Sequence, residues 1–136
     1  MGEILELLKE KKLKATPQRL AILNYLNSHT HPTIEEIYDE IKKVFPSISL
    51  ATIYKNINTL KDAGMITELN PGGKLKYDIN INPHFHGICK ECGKIIDYYD
   101  EDLMKKCKKI LDEKIDDEIK DIDITLSIVC DECARA

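Results

Sequence analysis

The 136-residue sequence predicts an α+β fold in two parts: a helical N-terminal part that ends in a β-hairpin, then a smaller α/β part closed by a metal. Three observations predict it. Apolar residues recur at helical spacing through the first sixty or so positions, and two short runs around a turn follow. Beyond residue 80, strand-like and helix-like segments alternate. Four of the five cysteines stand in matched pairs, Cys89-Lys90-Glu91-Cys92 and Cys130-Asp131-Glu132-Cys133.

The elements follow in order. Ile4, Leu5 and Leu8 give residues 3–12 one apolar face, and Lys9, Lys11, Lys12 and Lys14 follow. Thr16-Pro17 opens a second helix, with Thr16 as N-cap and proline at the first helical position, where a missing N–H costs nothing. Leu20, Leu23 and Leu26 form its apolar face and Arg19 lies in its first turn. A polar loop from Asn27 to Pro32 carries His29 and His31. Thr33-Ile34-Glu35-Glu36 reads as a capping box and starts a third helix. Its core face is Ile34, Ile37, Ile41 and Val44, and Pro46 marks its end. Ser49 caps a fourth helix that points Leu50, Ile53, Ile57 and Leu60 inward and ends at Ala63-Gly64. Ala51, Thr52, Tyr54, Lys55 and Asn58 are left to face outward. Strands at 65–69 and 74–79 flank the turn Asn70-Pro71-Gly72-Gly73.

Helices ending in a helix-turn-helix, followed by a hairpin, are the outline of a winged-helix DNA-binding domain over residues 1–79. The fourth helix would enter a major groove and the hairpin would be the wing. Residues 80–136 form the second domain. Residues 94–99 read as a strand and 103–115 as an amphipathic helix. Ile122, Ile124, Leu126 and Ile128 alternate with polar neighbours as a half-buried strand.

Composition limits the function classes. The chain is 43% apolar and 32% charged, as expected of a soluble globular protein. Its longest apolar run falls well short of the ~18 residues that would span a membrane. Met1-Gly2-Glu3 leads into a charged amphipathic stretch with no secretory signal, so a cytoplasmic location is expected. The net charge of −4 lies entirely in the second part. Residues 1–72 hold 9 basic and 9 acidic side chains, and residues 73–136 hold 11 and 15. The first part can therefore dock on DNA while the acidic part faces away.

A Cys-x-x-Cys turn grips one side of a tetrahedral ion, and two such turns complete a four-cysteine zinc site. Four thiolates leave no open position, so Cys89, Cys92, Cys130 and Cys133 predict structural zinc. Cys107 shares apolar spacing with Leu103, Ile110 and Leu111 and reads as a core thiol. His84-Phe85-His86 is a cluster of another kind: i and i+2 of a strand share a face, so both imidazoles can reach one ion. His31, Asp78 and Asp97 complete a nitrogen and oxygen set that suits Fe(II), Mn(II) or Zn(II). An enzyme is not expected. Zinc deaminases combine Cys-x-x-Cys with a His-x-Glu motif that this sequence lacks.

The stretches Lys14-Ala15-Thr16-Pro17-Gln18-Arg19, His31-Pro32-Thr33, Ser49-Leu50-Ala51-Thr52-Ile53-Tyr54 and His84-Phe85-His86-Gly87-Ile88-Cys89, with Cys92-Gly93-Lys94 and the terminal Cys-x-x-Cys, resemble the ferric-uptake-regulator family of metal-dependent repressors from about Leu7 to Cys133. The resemblance implies a homodimer on double-stranded operator DNA. Each subunit would join a winged helix to a dimerisation domain and hold one structural Zn2+. One regulatory Fe2+ or Mn2+ per subunit would sit between the domains on His31, Asp78, His84, His86 and Asp97. Lys14, Arg19, Thr52, Tyr54 and Lys55 would contact DNA.

Within the family the chain is most similar to the peroxide-responsive repressors. Asp97 stands where iron-uptake regulators usually carry glutamate, and Asn82-Pro83 stands where they often have extra histidines. This subclass implies Fe(II)-catalysed oxidation of His31 and His84 by peroxide, with release from DNA. Control of iron-acquisition genes is the alternative role.

Overall fold

A computed structural model describes residues 2–28, 31–80, 84–119 and 122–135. The chain is α+β and divides into two compact units, Met1–Ile81 and Asn82–Ala136.

Unit 1 contains α1 (Gly2–Glu10), α2 (Pro17–Ser28), α3 (Ile34–Val44), α4 (Leu50–Asp62), β1 (Ile66–Leu69) and β2 (Lys76–Ile79). Its core is one cluster that includes Ile4, Leu8, Ile22, Leu23, Leu26, Ile37, Ile53, Ile57 and Leu60. Local chemistry sets the helix ends. Lys12 adopts φ 58° and closes α1 through bonds from the Lys12 amide to the Lys9 carbonyl and from the Leu13 amide to the Leu8 carbonyl, the pattern of a Schellman cap. Thr16 caps α2 by accepting from the Arg19 amide at 3.2 Å. Thr33 and Glu36 form the expected capping box on α3, and Ser49 accepts from the Thr52 amide on α4. Gly64, at φ 79°, ends α4 with the Met65 amide bonded to the Leu60 carbonyl.

Two expected core residues lie outside. Val44 is 67% exposed, because the stripe from Ile37 and Ile41 continues to Phe45, which packs against the core. Leu50 is exposed because Ile48, in the preceding turn, fills that corner. β1 and β2 pair antiparallel, with Thr67 opposite Asp78. The Tyr77 amide also bonds the Pro32 carbonyl at 2.9 Å, which ties the start of α3 to the hairpin.

Unit 2 contains β3 (Phe85–Cys89), β4 (Ile95–Tyr98), α5 (Glu101–Lys114), β5 (Thr125–Ile128) and α6 (Asp131–Arg135). The sheet order is β4-β3-β5, antiparallel between β3 and β4 and parallel between β3 and β5. Gly87, at the centre of β3, has no room for a side chain: a Cβ would lie 2.9 Å from Tyr98 Cε2 and 3.0 Å from Ile128 Cδ1.

Unit 2 has little core of its own. No residue of α5 is fully buried, and Leu103, Ile110, Leu126 and Val129 are exposed. Cys107 is therefore half-buried on an uncovered helix face and is not the core thiol that its spacing suggests. The short β5 also leaves Leu126 outside the expected alternation. Among the described residues, no helix is long and apolar enough to cross a membrane.

Candidate metal centres and DNA-facing surface

The parallel pairing of β3 and β5 builds the cysteine site. It carries the ends of both strands to one edge, with Cys89 opposite Ile128 and the Lys90 amide bonded to the Ile128 carbonyl at 2.8 Å. Residues 90–93 turn back, with Gly93 at φ 75°, and place Cys92 beside Cys89. Cys130 stands two residues past the end of β5, after Val129, and the first turn of α6 brings Cys133 round.

The four Sγ atoms lie within 4.8 Å of one another, and Cys92 and Cys130 are 3.7 Å apart. A tetrahedral ion with Zn–S bonds of about 2.3 Å spaces its sulfurs about 3.8 Å apart. All four cysteines are unbridged, so the cluster has the spacing of a metal site. The electrostatics agree. The Cys130 amide, 3.4 Å from Cys89 Sγ, and then the Cys92 amide bring the Cys89 thiol down to about 6. Cys130, Cys92 and Cys89 crowd Cys133 and push its thiol up. At Cys92 the Lys94 amide favours the thiolate, but Cys89, burial and Cys130 together outweigh it, and the thiol is raised. Cys89 forms a thiolate readily, while Cys92 and Cys133 need a cation to offset the crowding around them.

The second ligand set comes in two portions. In unit 2, His86 on β3 faces Asp97 on β4 in register, with Nε2 to Oδ1 at 3.4 Å. His84 Nε2 is 3.1 Å from His86 Nε2, and the His84 ring stacks on Tyr99 at 4.8 Å. Two imidazole nitrogens at right angles on one ion, each about 2.1 Å away, stand about 3.0 Å apart, so the His pair fits a shared ion. In unit 1, the bond from Tyr77 to Pro32 sets His31 beside Asp78. Their ligand atoms lie within 4.8 Å of one another and both residues are buried. His31 adopts φ 53°, a left-handed conformation that costs a non-glycine residue about 1–2 kcal/mol. His29 and Asn82-Pro83 lie outside the described residues.

The chain matches the Ferric uptake regulator family over residues 10–133. It belongs to that family. Members of the family are transcriptional regulators and not enzymes. The chain is 39% identical over 140 residues to a peroxide-responsive repressor of Staphylococcus aureus, a match that covers 98% of this chain and 90% of the relative. It superposes on the peroxide stress regulator of Campylobacter jejuni with a TM-score of 0.74 and 42% identity, covering 95% of this chain and 98% of that one. The ferric uptake regulator of Pseudomonas aeruginosa, solved with manganese, gives a TM-score of 0.71 at 27% identity, covering 96% and 99%.

The residues expected to touch DNA are spread unevenly. Tyr54 and Lys55 project from α4 into solvent, and Lys14 is exposed. Thr52 does not face fully outward: it is half-buried, and its hydroxyl stands 2.9 Å from Ser49 Oγ in the helix cap. Arg19 is also half-buried. Its Nε–H donates to Asn56 Oδ1 at 3.1 Å and its Nη1 donates to the Lys14 carbonyl at 3.1 Å. Sequence reading overlooked Asn56. The available signal was an amide three residues from Ile53 and four from Leu60, on the buried stripe of α4.

Proposed function

We propose that this protein is a homodimeric, metal-dependent DNA-binding repressor that responds to peroxide. Cys89, Cys92, Cys130 and Cys133 hold a structural Zn2+. His31, Asp78, His84, His86 and Asp97 hold a regulatory Fe2+ or Mn2+. The residues of unit 1 belong to the DNA-binding part and those of unit 2 to the dimerisation part. The uncovered apolar surface of α5 and β5 supports the second assignment.

The observation that carries the reading is the His and Asp set without a thiolate. His84 and His86 are spaced for one ion, and Asp97 lies in register with His86. Bound Fe2+ supplies one-electron reduction of peroxide, which Mn2+ does not. The chain contributes buried imidazoles at His31 and His84, which as ligands of that ion would be the groups that take up the added oxygen. It also contributes ligands from both units, so one ion biases the arrangement in which both are held. Identity to the staphylococcal repressor supports the same reading.

The test compares Fe2+-loaded and Mn2+-loaded protein on operator DNA before and after peroxide. Peroxide is expected to release only the iron form, with one added oxygen mapped to His31 or His84. Equal release of both forms, or modification confined to cysteine, would reject peroxide sensing at this site and favour control of iron acquisition. Asp97→Ala should remove the metal response and leave the zinc in place.

A further inference from the structure

Asn56 is a buried polar side chain, 8% exposed, on the face of α4 that otherwise carries Ile53, Ile57 and Leu60. A polar group at such a position is costly unless its hydrogen bonds are made, and here both ends of the amide are used. Asn56 Nδ2 donates to the Thr52 carbonyl at 3.0 Å, which fixes which way the amide points. Asn56 Oδ1 accepts from Arg19 Nε at 3.1 Å. Arg19 is 37 positions away in sequence, in the first turn of α2. The Lys14 carbonyl holds the guanidinium at a second point through Nη1.

Two points of attachment on a planar group remove its rotational freedom. A guanidinium has five N–H donors in a rigid fork, and the rest of that fork is left at a half-buried position. The restraint spans two helices, so it also sets α4 against α2.

We infer that Asn56 is a positioning residue for DNA binding: it holds Arg19 so that the unused part of its guanidinium meets a backbone phosphate, beside the exposed Tyr54 and Lys55 of α4. The inference rests on the DNA-binding reading above and adds a residue that touches no DNA. An untethered arginine loses side-chain entropy when it is fixed on a phosphate. A tethered one has already lost it, and the gain appears as tighter binding; the counterion is released by the phosphate contact itself, which an Arg19 out of position does not make.

The test uses the zinc-containing, Mn2+-loaded full chain and a mixed-sequence duplex, since a phosphate contact is independent of sequence. The dependence of log Kobs on log salt is measured for the parent, Lys55→Ala, Asn56→Leu, Arg19→Gln and the Asn56→Leu/Arg19→Gln pair, with thermal melts as a check on folding. Each lost phosphate contact reduces the steepness of the slope by about 0.9. Asn56→Leu is expected to flatten it by about that amount per subunit, and Arg19→Gln by the same amount. The pair should do no more than either alone, because Asn56 acts through Arg19. A merely structural Asn56 would lower the melting temperature and weaken binding equally with or without Arg19, which would overturn the inference. A parent that binds with Lys55→Ala flattening the slope, while Asn56→Leu leaves it unchanged, would overturn the positioning role and spare the repressor reading. A parent with no affinity for any duplex would overturn both.

Discussion

If the four-cysteine site holds zinc as proposed, removing the ion is expected to unfold unit 2 and leave unit 1 folded. The imbalance between the two cores sets the magnitude. In unit 1 the buried cluster joins four helices and the hairpin. In unit 2 the buried apolar side chains among the described residues are Cys89 and Cys130, which belong to the cysteine site. A part this small draws no more than about 3–5 kcal/mol from a core. A structural zinc contributes an apparent binding free energy of about 10–16 kcal/mol at neutral pH. The zinc term exceeds the core term several-fold, so β3 and β5 depend on the ion that joins their ends. Cys92→Ser replaces one thiol of the cluster with a poor metal ligand and should act in the same direction. The assay is hydrogen exchange read by mass spectrometry, on protein treated with a chelator under reducing conditions and verified free of metal. Peptides from residues 84–135 should exchange at the rate of unfolded chain, while those covering α2, α3 and α4 keep their protection. If β3 and β5 stay protected in metal-free protein, sheet packing alone sustains unit 2 and the reasoning fails.

Other expectations concern single positions. Lys12→Gly removes a side chain from a left-handed residue at the end of α1 and should raise the stability of unit 1 by up to about 1 kcal/mol in a urea titration. Gly87→Ala forces a methyl toward Tyr98 and Ile128. It should cost about 1–3 kcal/mol, seen as weaker protection of β3 in exchange while α2 is unchanged. Glu36 is held below its ordinary value of 4.5 first by the bond from the Thr33 amide. The folded state therefore binds fewer protons, and the contribution of Glu36 is present above that value and lost as pH falls below it. Glu36→Gln should accordingly flatten the acid side of the pH–stability curve of unit 1, measured from urea midpoints; an unchanged curve would show that the capping box does not set it.

The features legible in the sequence are those decided between near neighbours. The capping box at Thr33 and Glu36, the cap at Ser49, the glycine end at Gly64 and the two Cys-x-x-Cys turns are complete within a few residues, so the order of the chain already holds their geometry. The stripe Ile53-Ile57-Leu60 is legible for the same reason, because helical periodicity is a local property. Tertiary structure decided what depends on distant partners. The pattern of His, Gly and Cys in β3 answers to such partners: His86 to Asp97 on β4, Gly87 to Tyr98 and Ile128, and Cys89 to Cys130. Val44 and Leu50 have the spacing of core residues, yet Phe45 and Ile48 take their places. Asn56 looks like any amide on a helix until Arg19, far away in sequence, comes within hydrogen-bonding distance. A hydrogen bond or a steric corner is a statement about two sites, and when they are far apart in the chain neither site specifies it alone.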